Sequence, residues 1–438
     1  MNMVFYPGCQ YVVTKDELAG QSDLIAQKAL EIKEKSFRCR RCNTHSLLRE
    51  NLLPDGRYYC RECLGLGRIT SSHYLATKPL KDPVKRKTTF CFTGELTPAQ
   101  QKISQSIIQN FLNKKDSLIY AVTGAGKTEM LFSLIHLCLT TGLNIAFCSP
   151  RVDVCCEIWP RLQAVFPEVN IGLRHYGAKP YQPTPLLVCT THQLLYFKEA
   201  FHLIIVDEID AFPYVYDETL HFAVANALHQ TGCKVFLSAT PSESEIRTAQ
   251  QNESLFCLPA RYHRRKLPVP QLVRLKKQNL PLSFGAKKKF LNLVNALLQK
   301  NHLLLFCATV SQVITMEKFL KHEFGETTVA SVHATDQERH EKVMGMRQNK
   351  FQIFCCSTVM ERGVTFANVS VLVFAADHRV FTKATLLQIA GRADRKGNFS
   401  QSEVVFCFTQ MTPELKKALS DIKALNRQAQ AAGLIDEV

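Results

Sequence analysis

The sequence predicts an α/β fold: two parallel-sheet halves preceded by a small four-cysteine module. Three observations carry that reading. Short apolar runs alternate with helix-length amphipathic stretches along most of the chain, as parallel sheets with crossover helices require. One apolar run opens into the Gly-rich turn Ala121-Val122-Thr123-Gly124-Ala125-Gly126-Lys127-Thr128, and another ends on Asp207-Glu208-Ile209-Asp210. Ahead of both stand two Cys-x-x-Cys pairs, Cys39 with Cys42 and Cys60 with Cys63.

Composition sets the outer bounds. A chain of 438 residues accommodates two or three domains, and an apolar fraction of 46% fills real cores. The net charge of +16 suits a polyanionic partner, although charge alone is weak evidence. No apolar run reaches 18 residues, so no membrane-spanning helix is expected. The start, Met1-Asn2-Met3-Val4-Phe5-Tyr6, lacks the basic-then-apolar pattern of a secretory signal. The 17 cysteines are therefore expected as reduced thiols. Those inside apolar runs, such as Cys148, Cys189, Cys307, Cys355 and Cys356, read as small core residues.

In chain order, a helix is expected from Lys15 to Glu34. The two Cys-x-x-Cys pairs follow, separated by 17 residues. Four thiolates at this spacing read as a tetrahedral structural zinc site formed by Cys39, Cys42, Cys60 and Cys63; buried or redox cysteines are the alternative. A small ribbon has little core without metal, so losing the metal should unfold the ribbon and leave the following core folded. Arg38, Arg40, Arg41, Arg49, Arg57, Arg61 and Arg68 crowd this module, with Tyr58 and Tyr59 among them. That mixture suits phosphate contact and base stacking, or simply a solvated basic surface. His73 to Thr89 reads as a linker.

Leu96-Thr97-Pro98-Ala99-Gln100 then opens a helix, with Pro98 in its first turn. Gln100 stands where it could read an adenine edge. In the Gly-rich turn, Gly124 and Gly126 let backbone N–H groups, with those of Thr123 and Ala125, approach phosphate oxygens at a helix start. Lys127 would reach the β- and γ-phosphates of ATP, and the Thr128 hydroxyl would ligate Mg²⁺. Ala121 replaces the first glycine of the usual pattern. Strands are expected at Asn144–Ser149, Leu186–Cys189 and Leu203–Val206, with a helix from Asp153 to Phe166. The last of these strands ends in Asp207, which would hold the Mg²⁺ shell, and Glu208, which would polarise the attacking water. Strand Lys234–Leu237 precedes Ser238-Ala239-Thr240, a hydroxyl-bearing turn able to sense the nucleotide state, or a plain strand end.

Residues 258–283, rich in Pro, Lys and Arg, read as the boundary between the halves. The second half repeats the alternation. Helices are expected at 286–299, 311–322 and 336–348, and strands at Leu303–Phe306, Val329–Val332, Phe351–Cys356 and Val369–Phe374. A helix from Pro413 to Ala432 closes the chain. The expected domains are thus 1–88, 89–265 and 266–438.

In this order the motifs resemble superfamily 2 helicase-type ATPases, over about residues 90 to 410. The resemblance implies two RecA-like domains with ATP between them. It casts Arg392 and Arg395, in Gln388-Ile389-Ala390-Gly391-Arg392-Ala393-Asp394-Arg395, as arginine fingers on the γ-phosphate. It also implies that Ser357-Thr358 and Arg362-Gly363 couple nucleotide to strand contact. Ser149-Pro150-Arg151 and Thr190-Thr191-His192 would hold a nucleic-acid backbone. Asp394 departs from the Gly that such motifs more often carry.

A four-cysteine ribbon ahead of a compact basic core, with the Asp-Glu-Ile-Asp spelling, looks more narrowly like the ComFA family, related to the primosomal helicase PriA. That likeness implies a cytoplasmic motor at the inner face of the membrane, driving import of single-stranded DNA. It further implies a ComFC-like partner and the membrane DNA-uptake machinery. A homo-oligomer, an RNA or replication-restart helicase, and a zinc-dependent nucleic-acid-binding switch with little turnover stay open.

Overall fold

Every residue of Phe201–Asp207 is buried, as a strand covered on both faces must be. It pairs in parallel with Ile145–Ser149 on one side and Leu228–Ser238 on the other. Around it a seven-stranded sheet runs in the order Leu255–Leu258, Ser117–Ala121, Leu228–Ser238, Phe201–Asp207, Ile145–Ser149, Leu186–Thr190, Ile171–Arg174. Adjacency of strands distant in sequence requires crossovers, which helices such as Val152–Val165 and Glu218–Ala227 supply.

The computed structural model describes residues 4–177, 181–276, 282–361, 364, 366–395 and 401–436. It divides into two units, Met1–Ile119 with Thr128–Phe256, and Tyr120–Lys127 with Cys257–Val438. The second contains a six-stranded sheet ordered Gln271–Arg274, Val404–Phe408, Val369–Val373, His302–Phe306, Ile353–Cys356, Val329–Val332, with parallel pairing throughout. Phe290, Leu303, Leu305, Leu372 and Phe374 fill its core. The expected cysteines behave as small apolar residues: Cys148, Cys189, Cys307, Cys355 and Cys356 are all buried.

The N-terminal residues correct two expectations. The helix expected from Lys15 to Glu34 is only Lys15–Leu18, capped by Thr14 and Glu17. Gly20, at φ +83°, turns the chain out of it, and Ile25–Lys28 and Leu30–Ile32 continue as strands. The expected linker from His73 begins instead with strand Tyr74–Thr77, which lies between Gln10–Val13 and Ile25–Lys28 in an antiparallel sheet. A second small sheet, Leu30–Ile32 with Ser36–Cys39 and His45–Leu47, carries the first cysteine pair.

The four-cysteine module is also not a separate bead. Cys39, Cys42, Cys60 and Cys63 belong to the same apolar cluster as Phe197 and as Phe201, Ile204 and Val206 of the large sheet. Gly8, just ahead of strand Gln10–Val13 in the other small sheet, is a further point of attachment. Its carbonyl accepts from Lys198 N–H at 2.9 Å, and a Cβ added there would meet the Ala200 Cβ at 2.6 Å. Only glycine permits that approach at φ +74°.

Candidate nucleotide and metal sites

In the second unit, the turn after Ala121 is built from two left-handed glycines, Gly124 at φ +80° and Gly126 at φ +74°. These conformations aim successive backbone N–H groups to one side, a concavity suited to anions. Val122 N–H is held by the Leu258 carbonyl at 3.2 Å, and the Gly124 carbonyl accepts from Tyr262 N–H at 3.1 Å. The Lys127 ammonium is folded back onto the Ala121 carbonyl at 3.0 Å. The Thr123 hydroxyl donates to the Gly391 carbonyl at 3.4 Å.

Gly391 opens the turn that carries the two arginines. Arg392 is buried and its Nε donates to the Glu361 carbonyl at 2.9 Å. Arg395 lies half-buried at the end of the turn. Arg261, which the sequence offers only as part of a basic boundary, holds this turn in place. Its guanidinium is buried and donates to the carbonyls of Gly391 (3.2 Å), Ala393 (2.8 Å) and Asp394 (2.9 Å). Burial lowers its pKa to about 10, against the opposing pull of Asp394. Asp394 itself sits at φ +51°, the backbone region that explains a Gly preference at this position. Its carboxylate faces Arg265 at 3.4 Å. Arg362 and Gly363 lie outside the described residues.

In the first unit, Asp207 ends its strand nearly buried and receives Glu208 N–H on its own Oδ1 at 2.9 Å. Glu208 adopts φ +58°, uncommon for a residue with a side chain and characteristic of strained functional turns. Asp210 accepts from both hydroxyls of the next motif, Ser238 Oγ at 2.8 Å and Thr240 Oγ1 at 2.5 Å. The hydroxyl turn is therefore wired to the acidic turn, which a plain strand end would not need. Thr128 is buried. The Gln100 carboxamide oxygen accepts from Thr97 N–H at 2.8 Å, in a reciprocal cap of helix Pro98–Leu112. Of the residues expected to grip a backbone, Ser149, Thr190 and Thr191 are buried, whereas Arg151 and His192 reach the surface.

The four cysteines of the first unit converge, with all Sγ atoms within 4.8 Å of one another. Cys39 and Cys63 lie 3.7 Å apart, Cys42 and Cys60 3.5 Å. These distances are far longer than a disulfide of about 2.05 Å. They match the edge of a tetrahedron with Zn–S bonds of about 2.3 Å. The donor set and its burial fit a closed structural zinc site. Hydrogen bonds from Cys39, Cys60 and Cys63 hold the Cys42 thiol far below its ordinary range, while contacts with Cys39, Cys42 and Cys63, then burial, push Cys60 up. Among the seven arginines expected at the surface, Arg41 is a correction: it is 2% exposed and points into this cluster. Arg57 and Arg40 are engaged by Asp55 and Glu31.

Comparison with known proteins agrees with the motif order. The DEAD/DEAH box helicase family matches residues 97–249 and the helicase conserved C-terminal domain matches residues 287–397. Competence protein ComFA of Streptococcus pneumoniae is 35% identical over 424 residues, 95% of this chain and 97% of the relative. Competence protein ComFA of Bacillus subtilis is 33% identical over 420 residues, 93% and 89% of the two chains. Among solved structures, Mycobacterium smegmatis helicase Lhr bound to ssDNA and AMP-PNP shares the fold, with a TM-score of 0.58 and 18% identity over 78% of this chain and 49% of that one. The two parallel sheets are thus RecA-like domains. With ordered helicase motifs and one-third identity along nearly its whole length, the chain belongs to the ComFA family and is a nucleic-acid-dependent ATPase of superfamily 2.

Proposed function

We propose that this ATPase translocates along single-stranded DNA and powers DNA import during natural transformation, working at the inner face of the cell membrane with a ComFC-like partner and the uptake machinery. The observation that carries the reading is an intact set of Lys127, Asp207, Glu208, Arg392 and Arg395 in a chain that matches two competence proteins over 93% or more of its length.

The roles follow from chemistry. The N–H groups of Thr123, Gly124, Ala125 and Gly126 receive the nucleotide phosphates, and Lys127 leaves the Ala121 carbonyl to meet them. Thr128 and Asp207 hold Mg²⁺, which when bound neutralises charge developing on the phosphates. Glu208 orients the attacking water. Arg392 and Arg395 stabilise the transferred phosphoryl group, Gly363 belongs to the cofactor-binding set, and Gln100 reads the adenine. Asp210 relays the state of the acidic turn to Ser238 and Thr240. Cys39, Cys42, Cys60 and Cys63 hold one zinc ion.

The test is ATP turnover by purified protein without nucleic acid and with single-stranded DNA, matched RNA and duplex. Stimulation by single-stranded DNA, lost in Lys127→Ala, is the expected result. Stimulation by RNA at an equal or greater level would move the substrate to RNA. Tight ATP binding with no turnover under any condition would overturn the motor.

A further inference from the structure

We propose that Arg41 is the built-in counter-ion of the four-thiolate centre, and that the Leu66 carbonyl it shares with Tyr196 ties metal occupancy to the segment Thr191–Tyr196. The inference rests on the zinc reading of the four cysteines. A divalent cation held by four thiolates leaves a net charge of about −2, which is costly in an apolar core. Arg41 is the cation placed to offset it. Its Nε donates to Cys63 Sγ at 3.3 Å, and its terminal nitrogens donate to the carbonyls of Cys63 (3.1 Å), Leu66 (3.2 Å) and Gly67 (2.5 Å). Its described partners are therefore one ligand sulfur and three neutral carbonyls of the loop after the second knuckle. Carbonyls do not balance a buried charge, whereas the thiolates do. A fixed guanidinium fork can serve four acceptors in one loop; an ammonium cannot.

The loop so held reaches outward. Leu66 O also accepts from the Tyr196 hydroxyl at 3.1 Å, across 130 residues of sequence. Tyr196 ends the short helix Thr191–Tyr196, and the Arg174 guanidinium lies over its ring at 4.6 Å. Arg174 in turn donates to Gln193 Oε1 at 2.7 Å. A continuous line of contacts runs from Cys63 through Arg41, Leu66 and Tyr196 to the segment that begins at Thr191. Loss of the metal frees Cys63, the ligand to which Arg41 donates, so the loop relaxes and Tyr196 loses its acceptor.

The experiment uses full-length protein: wild type, Arg41→Met, Arg41→Lys and Tyr196→Phe. Zinc content, zinc transfer rate to a chromophoric chelator, and hydrogen exchange across residues 191–196 are measured for each. Arg41→Met is expected to bind zinc about 10- to 100-fold more weakly, the usual effect of losing an outer partner of a metal ligand, and so to release it faster. Arg41→Lys, which keeps the charge and serves as the well-folded comparison, falls between. Tyr196→Phe keeps wild-type release but exchanges faster at 191–196 with zinc bound. Chelation accelerates that exchange in wild type. Unchanged release in both Arg41 variants, or exchange at 191–196 indifferent to chelation in wild type, would overturn the proposal. Wild type purified without one zinc per chain would instead sink the metal reading itself, before any variant is compared.

Discussion

Asp210 shows how much one side chain can carry when two motifs share it. It accepts from Ser238 Oγ and Thr240 Oγ1, so its charge supports two hydroxyls at once. Hydrogen bonds to a charged group contribute about 1.5–3 kcal/mol, more than neutral pairs. Asp210→Asn keeps the shape and removes the charge. It should leave ATP affinity near wild type and lower nucleic-acid-stimulated turnover roughly tenfold, about 1.4 kcal/mol of barrier. Adding Thr240→Ala should then cost little more, because residues in one network couple. Additive losses in that double-mutant cycle would show that the acid and the hydroxyl turn act separately. The placement of Asp207, Glu208 and Lys127 at a strand end or turn was legible from sequence, because a strand and the turn that follows it are written locally. Arg261 was not. Its three acceptors lie about 130 residues away, and a buried guanidinium leaves no periodicity that separates it from a basic linker. Arg41 was misread for the same reason, since nothing local marks which arginine of a cluster turns inward.

Elements with strong apolar runs, such as Phe201–Asp207 and His302–Phe306, were readable to within a residue or two, since burial on both faces dictates their composition. The short N-terminal strands were not, because their partners are distant: Tyr74–Thr77 pairs with Gln10–Val13 and Ile25–Lys28. The strand at the centre of the first sheet also carries a titrating group. His202 is 7% exposed and its Nδ1 accepts from Asn144 N–H at 3.2 Å. Burial, then His229 and Arg86, lower its pKa to about 4 from 6.5. A base whose folded pKa is depressed binds more protons unfolded. Its contribution is therefore complete above about pH 6.5 and is lost as the pH falls toward about 4. His202→Gln, which keeps an acceptor, should flatten the fall of the urea midpoint between those limits. An unchanged slope would assign the pH dependence to other groups.

At the scale of the molecule, the position of the four-cysteine centre decides what its metal stabilises. The sequence suggested a ribbon that could unfold alone, because two Cys-x-x-Cys pairs and a basic surface read as an appended module. Instead, its cysteines lie in one apolar cluster with Phe197, Phe201, Ile204 and Val206, and Gly8, ahead of the neighbouring small sheet, packs against Ala200. Removing the ion leaves buried thiols that repel or must protonate, beside the strand on which Asp207 stands. The cost should spread through the first unit. The second unit has its own core around Phe290 and Phe374. Hydrogen exchange of the full chain, with and without excess chelator, separates these outcomes. Protection should fall at residues 36–70 and also along Phe201–Asp207 and Ile145–Ser149. It should hold along His302–Phe306 and Ile353–Cys356. Loss confined to residues 36–70 would restore the ribbon to an independent module. Equal loss in both units would mean that the chain unfolds as one cooperative body, and that the metal stabilises the motor as a whole.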